Sequence, residues 1–136
     1  TLVTPPLLSP SSFDVIVANE HAPDTLFTLG AAISGGFGNL CEGYLGDAAT
    51  GLYKPAKVAR FDAKNPHGVN PAGIILAAAK MLEYSFDKSL AKTAVENAVE
   101  EVISQNFVTP DMKNKRDETQ KVISTEEFTD EVIKRL

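Results

Sequence analysis

The sequence is poor in the residue types that build metal, redox and membrane sites. Its 136 residues include one cysteine (Cys41), two histidines and no tryptophan. A single cysteine excludes an intramolecular disulfide and a cysteine-rich zinc cluster. No run approaches the roughly 18 apolar residues of a membrane-spanning helix. Residues 1–10 lack the charged start and long apolar stretch of a signal peptide. The sequence therefore predicts neither a membrane-spanning helix nor a signal peptide.

The charge balance is acidic. Eighteen acidic residues against thirteen basic ones give a net charge of -5 and an isoelectric point near 5.0. Nucleic-acid binding requires a basic surface, so no nucleic-acid partner is expected. The length suits one domain, and a hydrophobic fraction of 43% is enough for a core.

The first half of the chain alternates strand-like and helix-like segments. Residues 1–12 hold three prolines and predict an extended lead-in, because proline has no amide hydrogen to donate. Residues 13–18 are rich in β-branched side chains and predict a buried strand. Pro23 suits the first position of a helix that continues to about Ser34, where Gly35–Gly38 ends it. Residues 39–68 predict loops with one or two short strands, near 51–53 and 58–61.

The second half predicts more helix. Asn70 and Pro71 have the residue types of an N-cap and first helical position for a helix that runs to about Tyr84. A second helix is predicted from Asp87 to about Gln105, followed by a strand-like stretch at 106–110. The apolar stripe expected on this helix repeats every four residues, at Leu90, Ala94, Ala98 and Val102, with Ala91, Val95 and Val99 beside them. Ser124 and Glu127 have the spacing of a capping box at the start of the last helix. The apolar stripe expected on that helix consists of Phe128, Val132, Ile133 and Leu136. The predicted class is α/β, with few strands and a helix-rich second half.

Several segments together resemble the C-terminal part of the isocitrate and isopropylmalate dehydrogenase family, and above all the mitochondrial NAD-dependent isocitrate dehydrogenase subunits. Their order and spacing extend over nearly the whole chain. The resemblance rests on Pro10–Val17, Gly35–Gly38, Leu45–Asp47, Val69–Ala78 with Met81 and Leu82, Val108–Asp111 and Ser124–Ile133.

The resemblance implies a fold that is only part of the family's large domain, with residues 13–136 as a single truncated domain. Family members are much longer chains. Their N-terminal part supplies further sheet strands, the arginines that bind the substrate carboxylates and a catalytic tyrosine. The present sequence has no match to that part, and no catalytic residue is assigned.

The resemblance implies a divalent metal site that is reduced in this chain. The family holds Mg²⁺ or Mn²⁺ with two aspartates one helical turn apart, a spacing that places both on one face. Asp24 matches the first aspartate, but Thr28 occupies the position of the second. Asp24 is therefore predicted to be a remnant of the metal site, and this one carboxylate is predicted to be insufficient to hold a metal ion alone. A carboxylate in the first turn of a helix is also stabilised there without any metal.

The family's cofactor loop is also altered. Small residues and a histidine surround the adenosine of NAD in the family, whereas the matching place here reads Lys57–Phe61, with long and aromatic side chains. Asn70 matches an asparagine that contacts the adenine region, so it is predicted to be a remnant of the cofactor site. Its helix-capping role explains it equally well. Lys57 and Arg60 are candidate anion contacts.

Three other candidates favour structural roles. Glu20 and His21 are neighbours in a predicted turn without a nearby nucleophile, which favours exposed turn residues over an acid–base pair. Gly35–Gly38 follows a helix and lacks the P-loop lysine, so it favours a helix end over a phosphate loop. Cys41 has no neighbouring feature that lowers its pKa, which favours a buried, inert thiol.

These observations predict a non-catalytic structural or regulatory subunit that derives from a NAD-dependent isocitrate dehydrogenase. It would bind no cofactor and would be held by other subunits of a hetero-oligomeric, mitochondrial and possibly respiratory assembly. Location rests on the resemblance alone. One alternative is half of a split dehydrogenase, completed by a partner chain and using NAD with Mg²⁺ or Mn²⁺. Another is a nucleotide-sensing regulatory subunit.

Overall fold

The structure, a computed structural model, describes residues 9–19, 23–48, 50–56 and 67–136. Within them the chain forms four helices and four short strands: α1 (Pro23–Ile33), β1 (Cys41–Leu45), β2 (Gly51–Pro55), α2 (Ala72–Tyr84), α3 (Ser89–Ser104), β3 (Phe107–Val108), β4 (Lys121–Val122) and α4 (Thr125–Ile133). In this described part, no helix is both long and apolar enough to cross a membrane. The predicted strand at 58–61 and residues 1–8 of the lead-in lie outside the described residues.

The start of the described chain differs from the prediction. Pro10–Ser12 form a short 3₁₀ turn instead of an extended lead-in, since proline fits the first position of such a turn. Phe13 is extended, with φ −122° and ψ 119°. Residues 13–17 nevertheless have no assigned strand, and Val15 and Val17 are exposed. The prediction of a buried strand was wrong because no described strand pairs with this segment.

Helix α1 begins at Pro23 as predicted and ends just before the glycine pair. Gly35 and Gly36 both have positive φ, 84° and 126°, which a side chain would disfavour. The Gly36 amide donates to the Ala31 carbonyl, so the glycines close the last turn of the helix. The helix-end reading of Gly35–Gly38 is confirmed.

An antiparallel hairpin and helix α2 pack together. In the hairpin, Cys41 is opposite Pro55 and Glu42 is opposite Lys54. Helix α2 starts one residue later than predicted and approaches the chain before β1 closely at Gly73. A Cβ atom at Gly73 would lie 2.7 Å from the carbonyl oxygen of Leu40, so the contact requires glycine there.

The main core lies where α2, α3 and α4 meet. Its fully buried members are Ala72, Ala98, Val99, Val102, Phe128 and Val132. The predicted stripe of α3 is confirmed at Ala98, Val99 and Val102, but Leu90 is 89% exposed at the first turn. The stripe of the last helix is likewise confirmed at Phe128 and Val132, while Ile133 and Leu136 are exposed.

The C-terminal region follows the sequence prediction closely. Strand β3 lies in the predicted strand-like stretch and pairs in parallel with β4. The capping box of α4 is present: the Glu127 amide donates to Ser124 Oγ, and the Ser124 amide donates to Glu127 Oε2. These pairings bring the last helix onto α3 and complete the partial α/β architecture.

Candidate metal and nucleotide site

Asp24 and Thr28 lie one turn apart at the start of α1, as their spacing predicts. The Thr28 hydroxyl donates a hydrogen bond to the backbone carbonyl oxygen of Asp24, at 2.7 Å. This is the local back-bonding that threonine commonly makes within helices. The position that would hold a second carboxylate therefore holds a neutral hydroxyl whose proton is committed to the helix backbone.

A cleft of about 430 Å³ lies between α1 and the hairpin. Its lining residues are Asp24, Phe27, Thr28, Phe37, Glu42, Tyr44 and Lys54. Across the hairpin, the Lys54 ammonium lies 2.9 Å from Glu42, and the Tyr44 hydroxyl donates to the same carboxylate at 2.8 Å. The Lys54 ammonium also lies 5.3 Å from the centre of the Tyr44 ring.

These contacts set the charge of the cleft. Hydrogen bonds from Lys54 and then Tyr44 lower the pKa of Glu42, and the bond to Glu42 raises the pKa of Lys54. Both groups are thus charged at neutral pH and neutralise each other. The sequence gives no local signal for this pair, because its partners lie twelve positions apart and meet only through the hairpin register.

The described residues do not fit the divalent metal site that the resemblance implies. Mg²⁺ and Mn²⁺ prefer several oxygen ligands that include carboxylates. In residues 9–19, 23–48, 50–56 and 67–136, no three side chains of the acidic, histidine or cysteine type are grouped to hold a metal ion. Asp24 has a back-bonded threonine as its helical neighbour, and Glu42 across the cleft is already paired with a lysine.

Asn70 occupies a second cavity, of about 240 Å³, between α2, the hairpin and the loop before α4. Its Nδ2 donates to Asn39 Oδ1 at 2.7 Å, and its Oδ1 accepts from the Ala72 amide at 2.9 Å. The second bond closes a local turn over two residues, and the N-cap of α2 is Pro71, so the predicted N-cap position of Asn70 was wrong by one residue. A carboxamide has two donors and two acceptor lone pairs, so one of each is still available to a ligand.

Asp111 lines the same cavity, and each oxygen of its carboxylate accepts a hydrogen bond. Its Oδ2 accepts from the Asn70 amide, and its Oδ1 accepts from the hydroxyl of Thr109, which is fully buried. The carboxylate is therefore fixed at the mouth of a pocket whose lining is mostly apolar. Sequence reasoning placed Asp111 in a family turn but did not assign it to this cavity.

Other candidates from the sequence are resolved only in part. Glu20, His21, Lys57 and Arg60 lie outside the described residues, so their predicted roles remain predictions. Cys41 is half-buried instead of buried. Burial raises the pKa of its thiol, with Glu96 and Glu42 adding to the effect against Lys80. A raised pKa reduces the thiolate fraction and supports the expectation of low reactivity.

Comparison with known proteins identifies the family. The family model described as isocitrate/isopropylmalate dehydrogenase matches residues 2–132. The chain belongs to this family. The 3-isopropylmalate dehydrogenase of Heyndrickxia coagulans is 34% identical over 130 residues, which are 96% of this chain and 35% of that protein. The enzyme of the same name from Rhodopirellula baltica is 36% identical over 127 residues, or 93% of this chain and 35% of that protein.

Solved structures agree on the fold. The crystal structure of isocitrate dehydrogenase from Methylococcus capsulatus superimposes with a TM-score of 0.79 at 28% identity, over 98% of this chain and 38% of that one. The TT0538 protein of Thermus thermophilus gives 0.77 at 22% identity, over 99% and 26%, and supports the fold alone. The predicted fold class is confirmed. The chain spans about a third of the length of the curated relatives it matches.

Proposed function

We propose that this chain is a non-catalytic, structural or regulatory subunit, related to NAD-dependent isocitrate dehydrogenases and held in a larger protein assembly. One observation carries the proposal. The residue one turn after Asp24 is Thr28, whose hydroxyl donates to the helix backbone at 2.7 Å. The helix face that would present two negative charges to a metal ion presents one.

The cleft beside this face adds support. A divalent cation that entered it would meet the Lys54 ammonium, which raises the electrostatic cost of binding. Glu42 is the nearest candidate to replace the missing ligand, but its carboxylate already accepts from Lys54 and Tyr44. Binding through Glu42 would require breaking both interactions. We assign the contacts among Glu42, Lys54 and Tyr44 to hairpin stability, and we assign no catalytic residue.

The proposed assembly is a hetero-oligomer of protein subunits without nucleic acid. Its support is the set of large apolar side chains that are exposed in the described residues. The relatives named above are bacterial enzymes, so the nearer likeness to mitochondrial subunits, a mitochondrial location and a respiratory assembly stay predictions from the sequence.

Manganese titration of the chain tests the proposal directly. The wild type is expected to show no saturable Mn²⁺ binding below the millimolar range by electron paramagnetic resonance. Thr28→Asp restores a second carboxylate on the face of Asp24 and is expected to strengthen binding by about tenfold or more. Thr25→Asp adds the same charge off that face and serves as the matched control. Micromolar binding by the wild type that disappears in Asp24→Ala would refute the proposal.

A nucleotide-sensing subunit is the second candidate, and the cavity at Asn70 and Asp111 favours it. Calorimetry with NAD and with ADP tests it. Asn70→Asp keeps the oxygen that accepts from the Ala72 amide but removes the donors, so it separates ligand contact from the local turn before α2. Nucleotide binding by the wild type that is lost in Asn70→Asp would favour this candidate. The absence of a binding heat with both proteins would exclude a nucleotide-sensing subunit.

A further inference from the structure

Two aromatic rings line the cleft between α1 and the hairpin. Phe27 lies on α1 and Phe37 lies in the turn that follows this helix, and both side chains are partly buried. Their ring centres are 5.8 Å apart, and the ring planes are inclined at 47° to each other. The two rings therefore form an apolar corner on the α1 side of the cleft.

The carboxylate of Asp24 belongs to the same side of the cleft. Asp24 and Phe27 are three residues apart in α1, a spacing that places both side chains on one face of a helix. Both residues line the cleft, as does the Phe37 ring that contacts Phe27. The α1 side thus combines a negative charge with an aromatic surface.

The hairpin side of the cleft is balanced in charge. Glu42 lies directly opposite Lys54, and Tyr44 follows Glu42 two positions later, so these three side chains share one face of the hairpin. The Lys54 ammonium lies 2.9 Å from Glu42, which neutralises it, and 5.3 Å from the centre of the Tyr44 ring. This side therefore already holds an ammonium group against an aromatic ring. Among the described residues that line the cleft, the charge left unbalanced is that of Asp24.

One unbalanced carboxylate beside aromatic rings fits an organic cation better than a metal ion. Mg²⁺ and Mn²⁺ need several oxygen ligands, whereas an alkylammonium ion binds through the faces of aromatic rings and one opposite charge. Its single charge halves the repulsion that a divalent ion would meet from the Lys54 ammonium, and Glu42 offsets that repulsion. A quaternary ammonium ion also has no N–H groups that would need acceptors.

We propose that this cleft binds a small quaternary ammonium ion, whose charged head lies between the Asp24 carboxylate and the rings of Phe27 and Phe37. The cleft volume of about 430 Å³ falls within the range of small-molecule sites, about 300–1,000 Å³. The inference goes beyond the proposed function and does not depend on it, because it concerns a ligand and not turnover. It gives the chain a binding site for a charge of the opposite sign to that of a carboxylate substrate.

Calorimetry of the full chain with choline as the probe tests the ligand class. The control ligand is the uncharged alcohol in which a carbon atom replaces the charged nitrogen of choline, so that the shape is kept. Choline is expected to bind with a dissociation constant in the millimolar range, and the alcohol is expected to bind about tenfold more weakly or less. No saturable heat up to about 50 mM choline, or equal affinity for the alcohol, would overturn the proposal.

Two variants test the position of the ion. Asp24→Asn removes the charge and keeps the shape, and Phe27→Leu keeps an apolar side chain and removes the ring. Each is expected to weaken choline binding by about threefold or more. Asp14→Asn and Phe86→Leu make the same changes at residues that do not line the cleft, and they are expected to leave the affinity unchanged. Choline binding that stays unchanged in folded Asp24→Asn or Phe27→Leu protein would overturn the proposed site.

Discussion

Gly73 of helix α2 lies directly against the carbonyl oxygen of Leu40, which a Cβ atom at Gly73 would approach to 2.7 Å. The Gly38 carbonyl and the Pro55 side chain would each lie 3.2 Å from the same atom. This contact joins the helical half of the chain to the hairpin beside the cavity at Asn70, which Gly73 also lines.

Gly73→Ala is therefore expected to destabilise the protein although alanine favours helices. Overpacking costs about 1–3 kcal/mol, which exceeds the helix-propensity gain of about 1 kcal/mol. Gly30→Ala in α1 is the control, because nothing lies within 4 Å of the added atom. It is expected to be neutral or slightly stabilising. Urea denaturation of both variants measures the free energies of unfolding, and a Gly73→Ala protein as stable as Gly30→Ala would contradict the contact.

Phe128 and Ile133 share helix α4 but differ in burial, at 1% and 60% exposed. Phe128→Ala is expected to cost about 3–5 kcal/mol, since it empties a site in the α2–α3–α4 core. Ile133→Ala is expected to cost much less, because water already reaches that side chain. Chemical denaturation compares the two, and equal losses would show that the core is not centred on Phe128.

The carboxylate of Glu96 bridges α2 and α3, at 3.0 Å from the Lys80 ammonium and 2.8 Å from that of Lys92. Burial acts to raise the pKa of Glu96, but hydrogen bonds from Lys92 and Lys80 outweigh it and the pKa lies below its ordinary value. A carboxyl group with a lowered folded-state pKa stabilises the fold above its unfolded pKa, about 4.3, and loses that contribution as pH falls through the folded value.

Glu96→Gln is accordingly expected to lower stability near neutral pH, with a deficit that shrinks as the pH falls below about 4.3 and is lost through the lowered pKa of Glu96. Glu100→Gln, on the same helix and in no ion pair of the described residues, is the matched control and is expected to have little effect. Thermal unfolding between pH 3 and pH 7 makes the comparison. A deficit for Glu96→Gln that is constant down to pH 3 would exclude the ionised bridge as its cause.

The Cys41 thiol is expected to react slowly, because burial raises its pKa. The rate of iodoacetamide alkylation as a function of pH should give a midpoint above the ordinary cysteine value of about 8.5. The same chain unfolded in urea provides the control and should return to the ordinary value. A folded-state midpoint below 8.5 would indicate an activated thiol and contradict the structural role.

Local signals in the sequence predicted most of the helices. Pro23, the glycines after Ile33 and the Ser124–Glu127 capping box mark helix ends through contacts within a few residues. The face shared by Asp24 and Thr28 also follows from spacing alone. Strand β1 gave no such signal, because its sequence Cys-Glu-Gly-Tyr-Leu neither alternates nor runs apolar.

Features that depend on distant neighbours could not be predicted. Leu90 fits the apolar spacing of α3 but is 89% exposed in the first turn of the helix. The Glu42–Lys54 pair exists only because the hairpin register aligns the two residues. Residues 13–17 have the composition of a buried strand but are exposed, since no described strand pairs with them. In each case the missing information is tertiary.

We expect that the chain does not itself turn over substrate, and an activity measurement on the native assembly is the decisive test. The assembly, purified through a tag on this chain, is assayed for NADH with isocitrate and with 3-isopropylmalate in the presence of Mg²⁺ or Mn²⁺. We expect no NADH formation that depends on Asp24, so assemblies with the wild-type chain and with Asp24→Ala should form NADH at the same rate. Robust NADH formation that is lost in Asp24→Ala would contradict it.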